Sequence, residues 1–168
     1  MLLARPDSRA SLRYPASVAS ARFLFQLWAV DQRGTSQFYQ EALNAYANAP
    51  VNELLYLSAY AFGMNRVVGP EMQSTFFVVP TNFTLNTAGQ SAFMDVFFRR
   101  AQETTARSEQ PVSGPAAQPE IVQIYVALTG LRTFQPAYTD RVISLQATLE
   151  PLMSAHARRE ASEISGWH

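Results

Sequence analysis

Apolar residues return every three or four positions along most of the chain, and that period predicts helices. Val18, Ala21, Phe25 and Trp28 form one stripe, which Phe23, Leu24, Leu27 and Val30 widen around the cylinder. A helix apolar on most sides belongs at the centre of its domain. It is expected to begin after Pro15 with Ser17 as its cap, to run to about Arg33 and to stop at Gly34. A second helix, over 36–48, is two-faced. Phe38, Ala42, Ala45, Tyr46 and Ala49 lie on one side, with Gln37, Gln40, Glu41, Asn44 and Asn48 on the other. Ala49-Pro50 ends it, because proline disfavours a helical residue before it. Asn52 is placed to cap a third helix over 53–62, and Gly63 to stop it. Its Ser58, Ala59 and Ala61 are small enough to admit a close neighbour. Turns this short make consecutive helices antiparallel.

The helical period then lapses over 63–87. Thr75-Phe76-Phe77-Val78-Val79 has strand character, and Pro80-Thr81-Asn82 is turn chemistry ahead of Phe83-Thr84-Leu85, so an ordered loop or a small β-hairpin is expected. A loop of this length in a compact domain is often functional. A fourth helix follows from Asn86 or Thr87 to about Arg107, with Phe93, Val96, Phe97 and Ala101 inward and Asp95 paired with Arg99 outside. The stretch 109–118 carries breakers without a large apolar anchor and reads as a mobile linker. Pro119 opens a fifth helix on Ile121, Ile124, Tyr125 and Leu128, with Gly130 as its stop. In the last helix Tyr138, Val142, Leu145, Leu149, Leu152 and His156 recur in steps of four and three. Pro151 is expected to kink that helix, at about 3 kcal/mol if nothing compensates.

Composition narrows the possibilities. A chain of 168 residues, 48% hydrophobic and 12% aromatic, has the makings of a folded core. Its 13 basic residues balance 13 acidic ones, so no long-range field gathers nucleic acid or an anionic membrane. Cysteine is absent, which excludes thiolate catalysis, disulfides and cysteine-held metals. No run approaches the ~20 apolar residues of a membrane helix, and Met1-Leu2-Leu3-Ala4-Arg5-Pro6-Asp7 lacks the apolar core of a signal peptide. A soluble protein without membrane insertion is therefore expected, with the cytoplasm favoured. Met1–Leu3 also reads as the end of an earlier helix, so the chain is open to being part of a longer protein.

Candidate chemistry is sparse. His156 lies on an apolar stripe, where a structural histidine is the ordinary finding, and Glu160 one turn on reads as a surface partner. Glu150, Glu160 and Glu163 sit near Arg158 and Arg159 on a polar face, as solvated charge does. No serine occupies a Gly-x-Ser-x-Gly turn and no glycine-rich phosphate loop follows a strand. No cofactor or metal site is expected, and no enzymatic activity.

The segment from Asn52 to Phe62, Phe83-Thr84-Leu85-Asn86, Ile124-Tyr125-Val126-Ala127-Leu128 and Phe134-Gln135-Pro136-Ala137-Tyr138 together resemble uncharacterised bacterial α-helical repeat proteins. The resemblance covers Val18 to Arg158 and implies a helical, solenoid-like region, often one part of a longer chain, with no assigned activity.

The expectation is thus an all-α fold, an antiparallel array of about six helices with one irregular loop or small β-hairpin at 63–87. Residues 1–14 are expected to be disordered or frayed, 15–160 to form a single helical domain and 161–168 to be a flexible tail. The expected function is a non-enzymatic protein–protein interaction or scaffold module, with a protein partner or self-association and no nucleic acid. Its contact surface is a groove lined by Tyr46, Tyr56, Tyr60, Phe76, Phe77 and Phe83. The alternatives are a small-ligand-binding helical domain, with Tyr125 and His156 as polar groups, or a structural subunit of a larger assembly.

Overall fold

The structure, a computed structural model, describes residues 8–68, 74–108 and 118–165. It is an all-α fold with one small two-stranded sheet. Among the described residues are seven α-helices: α1 (Val18–Val30), α2 (Gln32–Ala45), α3 (Val51–Phe62), α4 (Thr87–Ser108), α5 (Gln118–Phe134), α6 (Thr139–Leu149) and α7 (Ala155–Ser165). The strands are β1 (Arg66–Val68) and β2 (Ser74–Phe76). The chain divides into two compact units, Met1–Val67 with Ser74–Val96, and Val68–Gln73 with Phe97–His168.

In the first unit α1 packs against both α2 and α3, as its wide apolar stripe requires. Ala21, Leu24, Phe25 and Trp28 are buried. The expected boundary at Gly34 is displaced. Asp31 ends α1 and caps α2 at once, accepting the Gly34 N–H on Oδ1 at 2.9 Å, so Gly34 lies inside α2 and no loop is needed. The Asp31 carboxylate accepts a free N–H of the first turn, so the helix starts there, ahead of Thr35 and Ser36. Pro50 precedes α3, and Gly63 closes it in the left-handed region at φ 59°. Asn86 caps α4, accepting the Gly89 N–H at 3.1 Å, and its amide donates to the Ser36 hydroxyl at 3.0 Å.

The hairpin exists, but with a different partner strand. β2 pairs with β1 rather than with Phe83-Thr84-Leu85, and Arg66 Nε donates to Ser74 Oγ across the pair at 2.9 Å. Phe83 is instead drawn onto the helices by the aromatic rings described below. Before α1, Ser8–Arg13 is a 3₁₀ helix inside the stretch expected to be frayed.

In the second unit α5 packs against both α6 and α7. Ile121, Ile124, Leu128 and Leu131 of α5 are buried with Val142, Leu145 and Leu149 of α6. Gly130 does not stop α5, which runs on to Phe134. The last helix is broken rather than kinked. Pro151 has no N–H to offer and its ring opposes a continued turn, so Glu150–Leu152 tighten to a 3₁₀ turn and Met153 becomes extended at ψ 135°. Ser154 then caps α7 by accepting the Ala157 N–H at 3.1 Å. The break takes Leu152 and His156 off the stripe: Leu152 is half-buried, His156 is exposed, and Met153, Ala157 and Ala161 are buried instead. The tail expected from 161 is accordingly helical through Ser165. The linker expected over 109–118 lies, apart from Gln118, outside the described residues. Among the described residues no helix is long and apolar enough to cross a membrane.

Candidate functional site

The first unit holds a continuous aromatic cluster. Phe83 stands at its middle, with ring centroids 4.9 Å from Trp28, 5.3 Å from Phe25 and 5.5 Å from Tyr60. Tyr60 stacks at a tilt on Tyr39 at 4.8 Å, and Phe77 reaches Phe25 at 6.5 Å. Edge-to-face and tilted pairs at these spacings each contribute about 0.5–1.5 kcal/mol beyond their burial. The cluster ties the segment after β2 to α1 and α3, and it is a support, since its members are mostly inside.

Placement of the six expected contact residues follows from this. Tyr46 is buried, and its hydroxyl donates to the Tyr14 carbonyl at 2.6 Å, holding the N-terminal 3₁₀ segment down. Burial raises its pKa, and the Glu53 carboxylate adds to the rise. Tyr60 is buried; burial raises its pKa against a smaller lowering by a hydrogen bond with Ser36. Tyr56 and Phe83 are half-buried. Phe77 is 6% exposed and belongs to the core, whereas Phe76 beside it is 65% exposed. Of the six, Phe76 alone stands well out, while Tyr46, Tyr60 and Phe77 serve packing.

One neighbour missed by the sequence reading extends the exposed edge: Val78 is 90% exposed, while Leu85, further along the segment, is 55% exposed. Alternate residues of an extended chain point to opposite sides, so inward Phe77 sends Phe76 and Val78 outward together. The run Phe76-Phe77-Val78 carried that alternation in its spacing. Which phase faced inward depended on Phe25, and this is a tertiary fact.

Tyr125 and His156 do not share a site. Tyr125 lines an open cleft of about 750 Å³ in the second unit, and exposed His156 is not in its lining. Tyr39, which no sequence motif marked, is the most enclosed phenol. It donates to the Leu57 carbonyl at 2.8 Å, and burial, aided by Tyr60, holds its pKa well above the usual value. The Tyr39 hydrogen bond is structural, tying α2 to α3. No protein-family model, curated protein or solved structure matches the chain.

Proposed function

We propose that this chain is a non-enzymatic protein-interaction module whose contact surface is the apolar edge of Phe76 and Val78. The observation that carries the reading is the exposure of these two large side chains on either side of a buried Phe77. Covering a side chain of this size contributes about 1.5–3 kcal/mol, so two adjacent ones supply the centre of a modest contact. The edge is also pre-ordered. Phe77 is anchored on Phe25, and Phe83 further along the same segment is locked among Trp28, Phe25 and Tyr60. Binding therefore costs little additional ordering of the chain. The partner chemistry that fits is an apolar segment of another protein or a second copy of this one.

The test compares proteins retained from native lysate by the wild-type chain and by a Phe76→Asp, Val78→Asp double variant. Circular dichroism establishes that both are folded. Loss of a defined set of retained proteins supports the reading, and an unchanged set removes it.

A further inference from the structure

The cleft in the second unit is a place where polar groups from four elements converge. α5 presents Tyr125, Thr129 and Arg132 to it at steps of four and three, α6 adds Gln146, the 3₁₀ turn adds Glu150, and α7 adds Arg158. Most of this lining is internally satisfied. The Tyr125 hydroxyl donates to Glu150 Oε1 at 3.0 Å. The Gln146 amide donates to Thr129 Oγ1 at 2.9 Å and also approaches the Tyr125 carbonyl at 3.4 Å.

The two arginines are different. Neither guanidinium has an ion pair or side-chain hydrogen bond among the described residues, and both are exposed. Glu150, the one carboxylate among the described lining residues, is held by Tyr125. Among the described residues the cleft thus carries two unpaired cations against one occupied anion. Met153, Pro151 and Ala161 form apolar wall beside them. A guanidinium offers its donors as a planar fork that matches carboxylate or phosphate oxygens, and a volume of this order is that of small-molecule sites.

We propose that this cleft binds a small organic oxyanion, a carboxylate or phosphate on an apolar body, with Arg132 and Arg158 holding the charged head. The apolar body lies against Met153 and Pro151. The Tyr125–Glu150 and Thr129–Gln146 pairs set the spacing between α5 and α6 and leave the arginines to the ligand. This proposal is independent of the Phe76 edge.

The test is titration of the full chain with phenyl phosphate and with benzoate, followed by amide chemical shifts. Inorganic phosphate and uncharged benzyl alcohol serve as comparison probes. Saturable shifts at Thr129, Gln146 and Ala161 are expected with either aromatic oxyanion. Arg132→Gln with Arg158→Gln should weaken binding by about tenfold or more, because charge-assisted hydrogen bonds are lost. Glu150→Gln should tighten it several-fold by removing a like charge while keeping an acceptor for Tyr125. The opposed signs separate a ligand effect from general loosening, and an unchanged melting temperature in each variant confirms it. The proposal is overturned if these residues do not respond saturably, or if the double arginine variant binds as well as wild type. It is equally overturned if inorganic phosphate or benzyl alcohol matches the aromatic oxyanions.

Discussion

Phe76 and Phe83 lie in the same non-helical segment, yet their removal is expected to have very different consequences. Phe83→Ala takes away a half-buried ring with three aromatic neighbours, Trp28, Phe25 and Tyr60, at 4.9, 5.3 and 5.5 Å. Truncating a fully buried phenylalanine costs about 3–5 kcal/mol, and half-burial scales this to about 2–3 kcal/mol with the ring contacts included. Phe76→Ala removes a side chain that is 65% exposed, so it should stay within about 0.5 kcal/mol of wild type. The assay is urea unfolding followed by Trp28 fluorescence in a Trp167→Phe background. The chain has two tryptophans, so that background reports the first unit alone and avoids assuming that both units unfold together. A Phe83→Ala cost below about 1 kcal/mol, or an equal cost at Phe76, would refute the division between support and exposed edge.

Gly63→Ala should destabilise the first unit by about 1–2 kcal/mol, since a side chain is poorly tolerated at φ 59°. The new methyl would also stand 3.3 Å from Phe83 and Leu85; the same fluorescence assay reads the loss. Gly130→Ala should do the reverse and gain about 0.5–1 kcal/mol, because Gly130 is inside α5 with nothing within 4 Å of an added methyl. A raised melting temperature checks it, and an unchanged or lowered one contradicts it. At alkaline pH the buried phenols matter. Tyr39, Tyr46, Tyr60 and Tyr125 all titrate above the usual tyrosine range, chiefly through burial, with Glu150 contributing at Tyr125. Their raised folded pKa values favour the neutral form. The stability they confer is complete below the unfolded value of about 10 and is lost as pH rises through the folded values. A urea midpoint flat from neutrality to about pH 9 and falling beyond pH 10 is expected, and one that stays flat is the contrary result.

How far the chain could be read in advance depended on whether a signal was local. The stripe of α1, the Gly63 stop and the Asn86 start follow from neighbours within one turn, and all are present. The helix break at Pro151 was half legible. Proline marks a disturbance, but whether the helix bends or restarts depended on Ser154 offering a new cap and on Met153 finding a buried place. The strand pairing was the least legible, because three-residue strands leave almost no periodicity and the partner was chosen by Phe83 docking on α1 and α3. For the expected contact residues, composition marked aromatics without separating core from surface. Tyr46 and Phe77 went inward because a carbonyl and a ring awaited them there, and no spacing along the chain encodes that.

The central claim is that Phe76 and Val78 form a contact edge. Its most direct test places a photo-crosslinking amino acid at Val78 and, separately, at Gln26, an exposed position on α1 of the same unit. Irradiation in native lysate, and of the purified chain alone, distinguishes another protein from a second copy. A discrete product from position 78 that position 26 does not give is the expected result. Absence of any product at 78, or the same products at both positions, would contradict the account.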